Sequence, residues 1–332
     1  MRCHAPSNGF AAKATILNES LCNIAQAIKA EALRIGFDAV GMAQAAPVAP
    51  SVAEAYEQWI AQGMHHCMQW AANHTPLRLD PTQLVPGART VISLAVNYLP
   101  EQLPPEVASA VSRYAVGTDY HEVLCDMGNR LADFILRLTG HTSRVCVDSA
   151  PILERYWAQQ AGLGFRGRNT LLIIPGKGSF FFLCELVTTL ALPPDVPCTL
   201  SCGDCGACER HCPGGALQGG VLNAEKCLSC QTIENRDAQL PQWVAERIGN
   251  RLFGCDECQR CCPHNQCAAP STHPEFQARP AVVTLTPEQV LAMDQAQFSA
   301  TFRHSPVKRA KLAGLQRNAR LAGADPHPDG DA

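Results

Sequence analysis

Apolar positions along this chain change rhythm several times, and each change predicts an element. Residues 1–18 read as a flexible leader. Asn18-Glu-Ser then opens a helix through Arg34, because Leu21, Ile24, Ala25, Ile28 and Leu33 recur near helical spacing. Gly36 ends it, and Phe37-Asp-Ala-Val-Gly-Met42 forms a short buried strand. Ser51 caps a second helix with Ala55, Trp59 and Ile60 on one side. Thr90-Val-Ile-Ser-Leu-Ala-Val-Asn97 is almost unbroken in apolar residues, as a strand covered on both faces requires. Ser112–His121 leads into a helix ending near Leu138. Val145-Cys-Val-Asp148 is the next strand, with Asp148 at its C-terminal end. A helix over Pro151–Ala161 follows, its proline in the first turn. Asn169–Ile174 and Ser179–Leu183 are further strands. This alternation predicts an α/β domain over residues 19–195. Residues 196–270 lose the periodicity and form a loop-rich second domain. Residues 271–322 read as a helical basic tail and 323–332 as disordered.

With 332 residues the chain buries one large core or two modest ones. Charged residues are only 17% and hydrophobic ones 46%, which excludes a disordered chain. The net charge of -3 gives no global attraction to nucleic acid, so any such contact needs a local patch. Phe302–Arg320 offers one, with Arg303, Lys308, Arg309, Lys311, Arg317 and Arg320 and no acidic residue. That stretch reads either as a solvated amphipathic helix or as a phosphate contact. No signal peptide and no run of eighteen apolar residues is present, so the expected location is the cytoplasm and the expected state a monomer.

Eighteen cysteines would suggest disulfides in a secreted protein, but their spacing says otherwise. Cys202, Cys205, Cys208 and Cys212-Pro213 follow the C-x2-C-x2-C-x3-C-P pattern of a bacterial [4Fe–4S] site, whose fourth cysteine serves a neighbouring cluster. A second run supplies Cys255, Cys258 and Cys262-Pro263. Two cubanes then lack one ligand, and Cys227 between the runs is the best candidate. The resulting sets are Cys202, Cys205, Cys208 and Cys262 for cluster one, and Cys212, Cys227, Cys255 and Cys258 for cluster two. Cys261 adjoins Cys262, and register alone favours Cys262, four after Cys258 and directly before proline. Zinc is the alternative metal for paired cysteines, against which the doubled triple spacing argues. Clusters need thiolates and a reducing compartment. Most of the other ten cysteines read as buried or idle reduced thiols.

Several long motifs resemble epoxyqueuosine reductase. They are Arg78-Leu-Asp-Pro81, Arg113-Tyr-Ala-Val-Gly-Thr-Asp-Tyr-His121, Val147-Asp-Ser-Ala-Pro-Ile-Leu-Glu-Arg155, Ala161-Gly-Leu-Gly-Phe165, Asn169-Thr-Leu-Leu-Ile173, Thr232-Ile-Glu234 and Gly249-Asn-Arg-Leu-Phe-Gly-Cys255. The resemblance is collinear over roughly residues 20–320. It implies a cobalamin-binding α/β domain related to reductive dehalogenases, followed by a ferredoxin-like domain with two [4Fe–4S] clusters. The implied reaction reduces the epoxide of epoxyqueuosine at the tRNA wobble position to queuosine, fed by an unidentified low-potential electron donor. The family's proton donor falls on Asp148. Its corrinoid contacts fall near Arg78, Ser112, Asn169, Leu172, Leu183, Ser229, Cys255 and Asp256. The chain departs from the family at Gly214, Cys230, Cys261, His264 and Ser112. It also ends without the helical-repeat extension that many members carry, which places weight on the basic tail for holding tRNA.

Reduction of an epoxide to an alkene and water takes two electrons and two protons. For Asp148 to act as an acid at neutral pH, its pKa must rise from about 3.9, and burial against an apolar corrin face would push it that way. The competing role for Asp148 is the N-cap of the helix at Pro151. Glu154 and Asp119 read as structural carboxylates, pairing with Arg155 or Arg113 or capping helices. His65 and His66 read as solvated or packing residues. Gly162-Leu-Gly164 is followed by Gly167, one residue too early for a dinucleotide loop. Three rivals are weaker. A plain electron carrier does not need nearly two hundred residues before Cys202, a dehalogenase would carry a twin-arginine signal, and a tRNA-binding module needs no cluster ligands.

Overall fold

The computed structural model describes residues 8–101, 103 and 110–322, with side chains from residue 20 onward. Residues 1–7 of the expected leader and the expected disorder at 323–332 lie outside the described residues. Six strands matter for the site: β1 (Ala39–Gln44), β2 (Thr90–Asn97), β3 (Ser143–Cys146), β4 (Phe165–Arg166), β5 (Leu172–Ile173) and β6 (Phe181–Thr188). Four form one sheet in the order β1-β2-β6-β3, and every neighbouring pair is antiparallel. β4 and β5 make a separate two-stranded ribbon.

The apolar run at β2 is covered on both faces. Side chains alternate across a strand, so Ile92, Leu94 and Val96 enter one core while Val91 and Ala95 enter another. β6 divides likewise: Phe182, Cys184 and Leu186 to the first, Leu183 and Val187 to the second. The first core is closed by two helices, Asn8–Ile35 through Ile28 and Ala32, and Tyr120–Thr139 through Leu124, Leu131 and Ile135. The helix Glu154–Gln160 closes the second with Trp157 and Ala158. Each fully buried Leu or Ile contributes about 1.5–3 kcal/mol of transfer free energy, so the sheet is the rigid base of the molecule.

Several boundaries differ from the sequence expectation. The first helix begins at Asn8, so Asn18 is inside it rather than at its start. Ser51 is not a cap: the helix Pro50–Ala61 has Ala49 at its N-cap, without a side-chain hydrogen bond. Most consequential, the helix expected from Pro151 starts only at Glu154, with Leu153 at its N-cap. β3 also stops two residues before Asp148. Asp148 takes φ 47°, a left-handed conformation that neither strand nor helix accepts.

A third core joins distant parts of the chain. Val111 bridges Phe253, and both pack with Phe298, Phe302 and Leu315 of the C-terminal helices. Part of the basic stretch is therefore structural. Arg317 is buried and donates to the carbonyls of Gln231, Asn235 and Asp237. Arg309 pairs with Glu234 at 2.8 Å. Arg303, Lys308, Lys311 and Arg320 stay exposed. Arg317→Met leaves three carbonyls without their donor and lowers unfolding free energy by about 3 kcal/mol, read as a fall in denaturant midpoint. Arg317→Lys does not restore it, because an ammonium cannot reproduce the guanidinium fork.

Candidate active site: two thiol groups and an aspartate–histidine pair

Each cysteine run folds the same way. Gly203 and Gly206 take positive φ around Cys205, and the short helix Ala207–Arg210 carries Cys208. In the second run Gly254 takes φ 78°, and the helix Glu257–Arg260 carries Cys258. A Cβ on Gly254 would meet Ser112 Oγ at 2.1 Å, so only glycine lets the run approach Ser112. Gly214 is similar: a Cβ there would meet the Lys226 carbonyl at 2.0 Å.

The thiols gather into two sets. Cys208 is under the electrostatic influence of Cys202, Cys261 and Cys262, and Cys262 under that of Cys202 and Cys205. Cys258 is under that of Cys227, Cys255 and Cys212. All the described cysteines are free thiols. Among the described residues no three His, Cys, Asp or Glu side chains converge on a single-ion site. Burial pushes Cys208 and Cys255 up to about 11, so thiolates here need the positive charge of a metal. Backbone N–H groups already point at two sulfurs, Arg168 N to Cys202 Sγ at 3.4 Å and Ala216 N to Cys212 Sγ at 3.2 Å. Cys261 also influences Cys208 and in turn feels Cys205. Cys262 is the more buried of the adjacent pair and packs beside Cys202.

Buried polar side chains fasten the second run to the sheet. Gln259 Nε2 donates to Tyr98 Oη at 3.1 Å and to the Ser179 carbonyl at 3.1 Å. Asn265 Nδ2 donates to the Gln259 carbonyl at 2.8 Å. Asn169 Nδ2 reaches the Cys258 carbonyl at 3.4 Å. Arg168 pairs with Glu209 at 2.9 Å and ties the glycine-rich loop to the first run.

Asp148 is not an N-cap. His121 Nε2 lies 3.1 Å from Asp148 Oδ2, and His121 Nδ1 lies 2.8 Å from Asp119 Oδ1. Tyr120 also hydrogen-bonds Asp148. Asp119 does cap its helix, accepting from the His121 N–H at 3.1 Å. Glu154 forms no hydrogen bond with Arg155; its Oε1 accepts from the Asp148 N–H at 2.7 Å. Burial pushes the Asp148 carboxyl up, but hydrogen bonds from His121 and Tyr120 and the charges of His121 and Arg155 outweigh it, holding the carboxyl below its usual value. His121 is raised to about 9 by its hydrogen bonds to Asp119 and Asp148. The expected upward shift at Asp148 is thus reversed, because a cation sits beside it. At neutral pH the pair carries its proton on His121.

Packed aromatic rings connect this pair to the second run, through Tyr98 and its hydrogen bond with Gln259. Tyr120 stacks on Phe182 at 4.3 Å between centroids, and Phe182 lies 4.4 Å from Tyr98. Tyr114 faces Tyr120 at 6.2 Å and feels both Asp148 and Asp256. Asp256 accepts from the Arg113 N–H at 2.7 Å and from the Ser112 side chain, and burial raises its pKa. Ser112, Cys255 and Asp256 therefore meet at one end of these rings. Leu172 and Leu183 share the second core with Leu77 and Leu79, which flank Arg78. The Arg78 guanidinium is buried against the carbonyls of Asn73 and Trp70. Ser229 gives a backbone hydrogen bond to Cys227. His65 packs on Trp59, at 5.9 Å. Cys230 is buried against Cys67, the two sulfurs 3.7 Å apart.

The comparisons with known proteins agree with one another. Residues 78–149 match the model described as "Epoxyqueuosine reductase QueG, DUF1730", and residues 201–265 match the "4Fe-4S double cluster binding domain". Epoxyqueuosine reductase of Cellulophaga algicola is 39% identical over 293 residues, covering 88% of this chain and 95% of the relative. The chain belongs to the epoxyqueuosine reductase family. The Gloeobacter violaceus member is also 39% identical, covering 89% of this chain and 94% of the relative. The family resemblance extends to three dimensions. A crystal structure of epoxyqueuosine reductase with an epoxyqueuosine-modified tRNA stem loop superposes with a TM-score of 0.84 at 29% identity, over 91% of this chain and 81% of that one. The Streptococcus thermophilus epoxyqueuosine reductase gives 0.82 at 29% identity, over 90% and 80%. Among the described residues no helix is long and apolar enough to cross a membrane.

Sequence reasoning did not single out His121, Tyr120, Glu154 or Gln259 as parts of the site. His121 and Tyr120 stood inside a quoted motif, but only the fold brings them to Asp148, 27 residues away from His121.

Proposed function

We propose that Asp148, loaded with a proton through His121, completes the epoxide reduction carried out by this epoxyqueuosine reductase. The observation that carries this reading is the Asp119–His121–Asp148 chain at 2.8 Å and 3.1 Å, connected by packed aromatic rings to the second run. The substrate class is tRNA bearing epoxyqueuosine in its anticodon loop, as in the relative bound to such a stem loop. Cluster one takes Cys202, Cys205, Cys208 and Cys262; cluster two takes Cys212, Cys227, Cys255 and Cys258. In keeping with the family to which the chain belongs, cobalamin is the further cofactor, with Ser112, Asn169 and Asp256 beside the second thiol set as its polar contacts. When bound, cobalamin supplies a low-potential centre able to deliver an electron pair to an epoxide.

The chain's own residues supply placement and protons. Asp148 is half exposed, at 52% of its side-chain surface, so a substrate covering it removes water from the carboxylate. Desolvation is already the largest influence on Asp148 and acts upward. Covering the site strengthens it and moves the proton from His121 Nε2 to Asp148 Oδ2, beside the oxygen that leaves as water. Tyr120 and Tyr114 are held far above the usual phenol range by burial first, so they remain neutral donors. Two electrons and two protons convert epoxide to alkene and water.

An anaerobically purified sample tests the assignment. It is expected to contain about eight irons per chain, to show corrinoid absorbance once loaded with cobalamin, and to remove epoxyqueuosine from tRNA. Stoichiometric zinc in place of iron, or intact epoxyqueuosine after reduction with a strong low-potential donor, overturns it.

A further inference from the structure

Residue 148 is held in an unfavourable backbone conformation by very few groups. Its φ of 47° is left-handed, which costs a non-glycine residue about 1–3 kcal/mol. No strand or helix supports it, since β3 ends at Cys146 and the next helix starts at Glu154. Its N–H has one partner, Glu154 Oε1 at 2.7 Å. Glu154 is the first residue of a helix whose N-cap offers no side-chain hydrogen bond, and it reaches back six residues instead of capping that helix.

Behind Glu154 lies a second acid. Glu185 projects from the middle of β6, opposite Ser93 of β2 and Cys146 of β3, and is wholly buried. Ser93 Oγ is the polar group that faces its carboxyl, and Trp157 Nε1 has no hydrogen-bond partner among the described residues. Burial, and then the charge of Glu154, pushes Glu185 well above the usual carboxylate range, so it is a neutral acid. Glu154 is raised to about 7 by burial and then by the charge of Asp148. The groups that face Glu154 are Asp148 on the loop, Arg155 on its own helix, His121 and Tyr120 from the helix Tyr120–Thr139, Cys146 from β3, and Cys184 and Glu185 from β6.

We propose that Glu154 is the positioning residue for Asp148: its carboxylate grips the Asp148 N–H and fixes the left-handed turn that presents the Asp148 carboxyl to His121, and protonation of Glu154 loosens that grip. An ionised acceptor binds an N–H about twice as strongly as a neutral one. Burial and the anion Asp148 bias Glu154 toward protonation; the Asp148 N–H, Arg155 and His121 oppose them. The loop is therefore tightest above the Glu154 pKa and loosens below it. This rests on the role given to Asp148 above, but the clamp is measurable without substrate.

Amide hydrogen exchange over residues 147–153 of the anaerobic, cluster-loaded protein, with and without cobalamin, reads the clamp directly. Wild type is expected to exchange at least about tenfold faster at pH 6 than at pH 8, after correction for the intrinsic rate. Glu154→Gln keeps an amide oxygen as acceptor but cannot ionise, so its corrected exchange is expected to be fast and independent of pH. Glu154→Gln is also expected to lower kcat on an epoxyqueuosine tRNA stem loop about tenfold with KM unchanged, and to lose the acidic limb of the kcat profile. Glu154→Asp, which retains the charge on a shorter arm, is expected to restore the limb in part. Iron content at the wild-type level establishes that each variant is folded. Equal exchange in wild type and Glu154→Gln at both pH values overturns the clamp, whatever the activity. A fast-exchanging Glu154→Gln loop with unaltered kcat overturns the role of Asp148 instead.

Discussion

Asp148→Asn is expected to cut turnover of an epoxyqueuosine-bearing stem loop at least about a hundredfold, the usual scale of acid catalysis, while iron content stays at the wild-type level. The amide keeps the shape of the carboxyl and can still accept from Tyr120. It cannot take a proton from His121 Nε2, 3.1 Å away, nor pass one on. The same substitution removes one of the two carboxylates that hold the imidazolium. His121, raised to about 9 by Asp119 and Asp148, is therefore expected to move down toward its ordinary value, which NMR of the ring protons measures. The sign of the pH dependence follows. A histidine with a raised pKa keeps its proton below that value and loses it as pH climbs through it. Wild-type turnover should accordingly hold on the alkaline side of the Glu154 limb, set near 7, and fall as pH rises through about 9. In His121→Gln this basic limb disappears together with most of the activity. Near-normal turnover by Asp148→Asn would remove the aspartate from the chemistry.

The sequence was informative where chemistry is local. Thiol spacing singled out seven cysteines as expected cluster ligands and left the eighth, Cys227, to be chosen by its place between the runs, because a cubane's ligands come from one tight loop plus a fixed return. The apolar run at β2 announced a strand covered on both faces, and β2 lies between two cores. Sites assembled by distant segments were harder to read. The pairing of His121 with Asp148 depends on where the helix Tyr120–Thr139 starts relative to β3, and no periodicity encodes that offset. The sign of the Asp148 shift was missed for this reason: apolar burial was visible in the motif, whereas the neighbouring cation was not. The turn at 148–152 concealed a second feature. Pro151 is well suited to a first helical turn, yet the left-handed residue at 148 delays the helix to Glu154, and the delay lets Glu154 face Asp148. Charge counting along the tail also overstated its reach, since Arg317 is spent on three carbonyls and Arg309 on Glu234.

Cys227→Ala is the most severe single test of the cluster assignment. Cys227 belongs to neither run; it stands before the helix Leu228–Ile233, and its sulfur lies in the set with Cys212, Cys255 and Cys258. Removing it leaves three thiols around a cubane that needs four ligands. Iron is expected to fall from about eight to about four per chain, and reduction of epoxyqueuosine to stop, because the set nearest Asp256 no longer relays electrons. Stability should fall too. The core beside this set consists of Leu228, Val244 and Ile248, too few side chains to hold the segment, so the metal–sulfur bonds supply much of its folding energy. Cys261→Ala is the control, expected to retain about eight irons, whereas Cys262→Ala is expected to lose about four. Full iron in Cys227→Ala, or loss in Cys261→Ala with retention in Cys262→Ala, would require the ligand sets to be redrawn. The pattern in which Cys227→Ala and Cys262→Ala each empty one centre and spare the other would show two clusters whose ligands are exchanged between the runs.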